Sequence, residues 1–147
     1  MLYKSDYNVA EAICYARQYA LNYNPAYHNY NPEGGDCANF VSQVLLAGGL
    51  LMTDGWYYKY PDVTSSWINC KSMYSYFENA GFEIIENPTV NQLLLGNPIL
   101  FDTGNGWGHA VIYVGDGKVC AHNNDRLNVD WQMYSRNCTI LINCKQE

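Results

Sequence analysis

The fold of this chain is decided by residues 34–43, which read Gly-Gly-Asp-Cys-Ala-Asn-Phe-Val-Ser-Gln. The two glycines allow a sharp turn, and Asp36 is well suited to cap a helix that begins at Cys37. The apolar residues that follow recur at helical spacing, and they are Phe40, Val41, Val44 and Leu45. Because Gly48 and Gly49 then favour a helix end, we expect a short helix with Cys37 in its first turn.

A cysteine in the first turn of a helix has two common uses. The unpaired N–H groups and the dipole at a helix N-terminus favour a thiolate, so Cys37 is a candidate nucleophile. Alternatively, Cys37 is a small apolar residue that packs the start of the helix, since free cysteines are usually buried and inert. This stretch alone does not decide between the two, and the rest of the chain must do so.

Composition and charge favour one domain and exclude several classes of partner. The 147 residues suit a single domain over residues 1–147, and 48% of them are hydrophobic, as in a packed globule. A net charge of −6 excludes a protein that binds nucleic acid or anionic membranes. No apolar run is long enough to span a membrane, and the N-terminus lacks an export signal. We therefore expect either a protein made in the cytoplasm or one module cut from a longer protein.

The six cysteines do not form a recognisable disulfide or zinc pattern. They are Cys14, Cys37, Cys70, Cys120, Cys138 and Cys144, with no CxxC pair and no zinc-ribbon spacing. If Cys37 must stay free, the other five cannot all pair within the chain, so we expect reduced thiols. Zinc binding by Cys37, His109 and His122 is a rival interpretation, but no fourth ligand is evident. We expect no metal and no cofactor.

Helical patterns fill the first part of the chain. The first helix is predicted from a cap at Ser5 and Asp6 to Asn24, because the residue before Pro25 avoids helical backbone. Beyond the Cys37 helix, a third helix carries one apolar face, formed by Cys70, Met73, Phe77 and Ala80. A brief helical turn is predicted over residues 90–95.

From Pro98 onward the pattern changes to strands, at residues 99–101, 109–114, 119–122 and 139–143. The Gly-Asp-Gly at residues 115–117 predicts a hairpin between the second and third of them. Helices that precede an antiparallel sheet favour an α+β fold over a doubly wound sheet.

A thiolate nucleophile needs a base, and His109 opens a predicted strand directly after a glycine-rich loop. A two-residue hairpin turn would pair His109 with Asn124 and place His122 on the same face of the sheet. A four-residue loop would place His122 opposite His109, and a three-residue loop would place Asn123 there. We rank His122 first as the residue that orients His109, Asn124 second, and Asp125 as a weaker candidate.

The loop that follows the Cys37 helix is unusually aromatic. It contains Trp56, Tyr57, Tyr58 and Tyr60. These rings form either a small cluster packed over the core or one wall of a substrate cleft that stacks on sugars or peptides. His28, in an earlier loop, either lines the same cleft or is solvated.

Several of these motifs resemble a known family. They are residues 36–43, Trp67 at the opening of the third helix, the strand at residues 109–114, and Ala-His-Asn-Asn-Asp at residues 121–125. Together they resemble the putative amidase domain of Gram-positive bacteria and their phages, which is similar to NlpC-like and CHAP cell-wall hydrolases of the papain-like superfamily. One departure is Asn97-Pro98, where relatives usually have Gly-Asp before the first core strand.

The resemblance implies a papain-like (NlpC-like) fold, with N-terminal helices and the nucleophile helix packed on an antiparallel sheet. It implies a cysteine amidase or endopeptidase that cuts amide bonds, typically in peptidoglycan. Carried over by position, Cys37 is the nucleophile, His109 the base and His122 the polar third member. The implied substrate is a peptidoglycan peptide, attacked after release or delivery by a phage lysin or toxin-like module. An immunity protein is a candidate partner.

The mechanism also needs donors for a developing oxyanion, and the backbone N–H of Cys37 is the first of them. The further candidates for substrate or oxyanion contact are Tyr27, Tyr30, Asn31, Asp36 and Trp107. Two other functions use the same residues. One is a cysteine transferase or deamidase that acts on a protein, and the other is an inert papain-like binding module.

Overall fold

The computed structural model describes residues 7–102, 106–122, 126–133 and 138–144. Its helices are α1 (Val9–Tyr19), α2 (Cys37–Ala47), α3 (Ser65–Ile68) and α4 (Cys70–Asn79), with 3-10 turns at Asn31–Glu33, Val90–Gln92 and Trp131–Met133. Its strands are β1 (Tyr58–Lys59), β2 (Asp62–Val63), β3 (Glu83–Glu86), β4 (Pro98–Asp102), β5 (Trp107–Gly115), β6 (Lys118–Ala121), β7 (Arg126–Asp130) and β8 (Cys138–Asn143). The expected α+β class is confirmed.

The main sheet has six strands in the order β3-β8-β4-β5-β6-β7, and every neighbouring pair is antiparallel. The strands β1 and β2 form a separate two-stranded ribbon. The edge strands β3 and β7 were not predicted from the sequence. The strand β3 has two exposed glutamates at its ends and only two apolar residues between them, which gives a weak periodic signal.

Helix α2 is the centre of the molecule because it packs directly on β5. All of residues 37–45 are buried, as is typical of a helix that is surrounded by protein. One face of the sheet joins this core through Ala110, Ile112 and Cys120. The opposite face forms a second cluster that includes Val111 and is covered in part by Trp131. Both faces of the central strands are therefore buried.

Helix α1 is shorter than predicted at its C-terminal end. It ends at Tyr19, ahead of the Asn24-Pro25 boundary that the sequence favoured. Its N-cap is Asn8, whose side-chain oxygen accepts a hydrogen bond from the backbone N–H of Glu11 at 3.0 Å. The predicted caps Ser5 and Asp6 lie outside the described residues.

The segment from Trp67 onward is two helices rather than one. Trp67 lies in the short helix α3, and the backbone at Asn69 is extended (φ −130°, ψ 127°), which ends that helix. The Asn69 side chain then accepts a hydrogen bond from the backbone N–H of Ser72 at 2.9 Å and caps α4. Cys70 is consequently the first residue of a helix, as Cys37 is in α2.

The hairpin between β5 and β6 has the predicted turn but a different register. Asp116 and Gly117 both have positive φ (54° and 71°), as a two-residue turn of this hand requires. A bulge follows, so that Tyr113 pairs with Val119 and Ile112 pairs with Cys120. These pairs have the register of the three-residue-loop alternative and not that of the two-residue turn. Asn123, Asn124 and Asp125, the candidate partners of His109, lie outside the described residues.

Candidate active site

Three neighbouring groups favour the thiolate form of Cys37, the first residue of α2. They are the thiol of Cys70, the side chain of His109 and the backbone N–H of Ala110. The hydrogen bond with Cys70 contributes most to a pKa of Cys37 that lies well below its ordinary value, His109 and Ala110 lower it further, and burial opposes them. Cys37 therefore favours the thiolate, the form that a nucleophile needs.

The structure places His109 next to Cys37, and these are the two residues that the sequence analysis proposes as base and nucleophile. His109 lies near the start of β5, opposite Phe101 of β4, and the two rings stack with their centroids 6.2 Å apart. The strand thus sets the position of the imidazole, while the start of α2 sets the position of the sulfur. Because the two residues come from elements that pack on each other, the core fixes their separation.

Cys70 is a member of the site that the sequence analysis assigned only to the apolar face of a helix. Its sulfur lies 3.5 Å from that of Cys37, and each of the two residues is 6% exposed. The hydrogen bond to Cys37 and burial together raise the pKa of Cys70 well above its ordinary value. No local motif indicates this contact, since the two cysteines are 33 residues apart in the chain.

His122 does not lie beside His109, which corrects the predicted triad. Its Nδ1 is 2.6 Å from Oδ2 of Asp36, and its Nε2 is 2.7 Å from the carbonyl oxygen of Tyr19. The ring is sandwiched between Tyr23 and Phe40, at centroid distances of 4.1 and 4.2 Å. Both ring nitrogens are therefore engaged away from His109.

The bulge in the hairpin is the physical reason for this arrangement. It places His122 on the same side of β6 as Cys120, which belongs to the core beneath the helices. Ala110 belongs to that same core, so its neighbour His109 lies on the opposite side of β5. The three-residue-loop alternative has this same one-residue shift, and Gly115, whose φ is 107°, lies at the bulge.

Asp36 lies at the N-cap position of α2, as predicted, but its side chain does not bond to the helix backbone. It is fully buried and makes no side-chain capping bond to α2. Its Oδ1 accepts hydrogen bonds from the backbone N–H of Tyr30 at 2.8 Å and from Nδ2 of Asn39 at 2.9 Å, while Oδ2 faces His122. The carboxylate therefore anchors the loop before α2 to the helix and to the sheet.

The predicted oxyanion donors in that loop are largely engaged within the protein. The backbone N–H of Tyr30 is used by Asp36, and that of Asn31 donates to Oδ1 of Asn29 at 2.9 Å. The Asn31 amide donates to the hydroxyl of Tyr23. Tyr27 donates its backbone N–H to the carbonyl of Asn24 at 3.1 Å. The hydroxyls of Tyr27 and Tyr30 thus remain the candidates from this loop.

The aromatic residues divide into a buried set and an outer set. Trp56 is fully buried and donates from Nε1 to the hydroxyl of Ser42, so it belongs to the core. Tyr60 is 53% exposed and stacks on His28, which also bonds to Glu33 at 2.9 Å. Trp107, another predicted contact residue, is partly buried and its ring packs against Tyr74 at a centroid distance of 5.0 Å.

Among the described residues, Cys14, Cys37, Cys70, Cys120 and Cys144 take part in no disulfide bond. Within the described ranges no group of three or more histidine, cysteine or acidic side chains is placed to hold a metal ion. In the same part of the chain, none of the helices has the length and apolar character needed to cross a membrane.

The chain is similar in sequence to two uncharacterized proteins of Bacillus subtilis. The chain is 33% identical over 122 residues to the uncharacterized protein YhbB of Bacillus subtilis (strain 168), a match that covers 76% of this chain and 38% of that protein. It is 31% identical over 138 residues to the uncharacterized protein YjcM of the same strain, covering 84% of this chain and 32% of that protein. The chain thus spans about a third of the length of these curated relatives.

No solved structure matches the chain. A family model does match, over residues 6–144, and that family is described as a putative amidase domain. The matched range includes Cys37, Cys70 and His109 together with all the helices and strands that the structure describes. The chain therefore belongs to the putative amidase domain family.

Proposed function

We propose that this chain is a cysteine-dependent amidase or endopeptidase of papain-like architecture, and that it hydrolyses amide bonds in bacterial peptidoglycan. The observation that carries the proposal is the environment of the Cys37 sulfur. It lies at the start of a buried helix, within reach of the His109 imidazole, and its pKa is well below the ordinary value. Family membership supports amide hydrolysis as the reaction.

The proposed reaction is an acyl transfer to Cys37. The thiolate attacks the carbonyl carbon of the amide, and the carbonyl oxygen takes up the negative charge. The backbone N–H of Cys37, one of the free N–H groups at the start of α2, helps to stabilise that charge. His109 then protonates the leaving amine, the C–N bond breaks, and water hydrolyses the thioester that remains.

In this mechanism Asp36 and His122 support the nucleophile rather than the base. The Asp36 carboxylate holds the loop residue Tyr30 and the helix residue Asn39, and His122 ties that carboxylate to the end of α1. The Asn39 amide also accepts from Nε1 of Trp67 at 2.9 Å. This buried network fixes the direction in which α2 presents Cys37.

Peptidoglycan is proposed as the substrate because the motifs around Cys37 and His109 resemble those of cell-wall hydrolases. A protein side-chain amide is the alternative, since a deamidase or transferase would use the same nucleophile and base. The two substrates are separated by the products that are released.

The test compares the wild type with Cys37→Ala on purified peptidoglycan, with mass spectrometry of the soluble products. The matched control is Cys120→Ala, which removes another fully buried thiol. We expect wild type and Cys120→Ala to release peptides or muropeptides with new amine termini, and Cys37→Ala to release none. Equal release by Cys37→Ala would exclude Cys37 from the mechanism. No release by any protein, with Cys37 still hyper-reactive, would favour the protein-directed deamidase or transferase.

A further inference from the structure

We propose that Cys70 is a second functional thiol of the site, which donates a hydrogen bond to the Cys37 sulfur and holds it in the attacking form. Its contribution to turnover rests on the proposed function above. The contact itself does not, since it can be measured on the reactivity of Cys37 alone.

The direction of the hydrogen bond follows from the surroundings of the two thiols. The sulfurs are 3.5 Å apart, within the range of a sulfur hydrogen bond. His109 and the backbone N–H of Ala110 also lower the pKa of Cys37, so we assign its sulfur as the acceptor. Cys70 is buried and its pKa is raised by Cys37 itself, so Cys70 keeps its proton and is the donor.

The fold holds Cys70 at this position from two sides. The extended backbone at Asn69 ends α3 and lets Cys70 start α4 beside the start of α2. On the α3 side, Ser42 of α2 donates its hydroxyl to the carbonyl of Trp67 at 2.9 Å, and Trp67 donates to Asn39 of α2. These buried hydrogen bonds tie α2 to α3, the helix that directly precedes Asn69 and Cys70.

The alternative is that Cys70 only fills space at the start of α4, as buried cysteines commonly do. The two roles predict different results for two substitutions of similar size. A serine at this position keeps an O–H donor, whereas an alanine has none. If Cys70 only packs, serine should be the less favourable of the two because it buries a hydroxyl.

The experiment measures the rate of iodoacetamide alkylation of Cys37 against pH, by mass spectrometry of the Cys37 peptide. It compares wild type, Cys70→Ala, Cys70→Ser and the matched control Cys120→Ala. We expect Cys70→Ala to raise the midpoint of the Cys37 alkylation profile by about one pH unit. This is roughly a tenfold loss of thiolate at pH values below the midpoints of both proteins. Cys70→Ser should move it by less than half as much, and Cys120→Ala should leave it unchanged. An unchanged midpoint in Cys70→Ala, or an equal shift in both Cys70 variants, would overturn the proposal.

A second measurement uses only the wild-type protein. Diamide oxidises two neighbouring thiols to a disulfide, as each thiol gives up one proton and one electron and the N=N bond of diamide is reduced to a hydrazine. In the folded wild type we expect a Cys37–Cys70 linked peptide, reversed by dithiothreitol. If Cys37 is alkylated readily but never links to Cys70, the contact is absent and the proposal fails. The Cys37–Cys70 disulfide could form, and Cys70→Ala could shift the alkylation midpoint, while the protein hydrolyses no amide. That result would support the contact between the two thiols and contradict the proposed amidase function.

Discussion

Cys37 and Cys70 carry the same group at the same place in their helices, yet their pKa values shift in opposite directions. Both sulfurs are buried, and burial alone raises the pKa of a thiol. For Cys37 the neighbouring groups lower the pKa by more than burial raises it. For Cys70 the hydrogen bond to Cys37 and burial both raise the pKa. The difference between nucleophile and donor is therefore set by the neighbours of each sulfur.

This difference predicts the pH dependence of Cys37 in the wild type. A group whose pKa is lowered is charged at every pH above the lowered value, so the thiolate should persist well below neutral pH. We expect the alkylation rate of Cys37 to be nearly flat between about pH 6 and 8, while that of N-acetylcysteine falls about tenfold per unit. The profile shape is the readout, because burial slows the absolute rate. If the alkylation rate of Cys37 also fell tenfold per pH unit, Cys37 would be an ordinary thiol.

At the level of elements, the site depends on how three segments meet at the start of α2. Asp36 lies immediately before this helix, His122 follows β6, and Tyr19 ends α1. The hydrogen bonds among them are buried, and a buried polar group that loses its partner is costly. The packing of α1, α2 and β6 is thus coupled through one imidazole ring.

We therefore expect His122→Ala to lower the stability of the fold rather than to remove a catalytic group. It leaves a fully buried carboxylate without one of its partners, and we expect the free energy of unfolding in urea to fall by about 3 kcal/mol or more. The control His28→Ala removes a partly exposed ring from an ion pair with Glu33 and should cost less than about 1 kcal/mol. If His122→Ala were as stable as the control yet inactive, the originally predicted role of His122 as third catalytic member would be restored.

A second contact between elements joins α2 to α3 and to the aromatic loop. The hydroxyl of Ser42 donates to the carbonyl of Trp67 and accepts from Nε1 of Trp56. The change Ser42→Ala leaves both buried groups unpaired, and we expect a loss of about 2 to 4 kcal/mol in unfolding free energy. Ser65→Ala, at an exposed position of α3, should change stability by less than about 0.5 kcal/mol. Equal effects of the two substitutions would contradict the structure's account of this contact.

For the molecule as a whole, the helices and the sheet share one core. The cluster that contains Phe40 and Val44 of α2 also contains Ala110 and Ile112 of β5. The helical part therefore cannot separate from the sheet without exposing apolar side chains of both. Small domains built in this way usually unfold in one step.

We accordingly expect a single cooperative transition in urea under reducing conditions. Far-UV circular dichroism should report the loss of the helices and the sheet, and tryptophan fluorescence the loss of packing around Trp56 and Trp67. The two curves should have the same midpoint. The variant Trp131→Phe removes a reporter on the opposite face of the sheet, and its two curves should again coincide. Separate midpoints would show that helices and sheet unfold independently.

Much of this architecture was accessible from the sequence because it depends on near neighbours in the chain. The start of α2 at Cys37, its end near Gly48, the four predicted strands and the turn at Asp116 and Gly117 all follow from local spacing and backbone preference. The closeness of Cys37 and His109 was inferred from motifs that resemble a family. The register of the hairpin, by contrast, was left open among three loop lengths, and the structure has the register of the three-residue loop, with a bulge beside Gly115.

The sequence by itself determined the class of fold, the positions of most elements and the two residues proposed as nucleophile and base. Only the tertiary structure placed Cys70 against Cys37 and His122 against Asp36, pairs that are 33 and 86 residues apart. The physical reason is that periodicity fixes which face of an element is buried, whereas the pairing of buried side chains is decided by how helices and strands pack on one another.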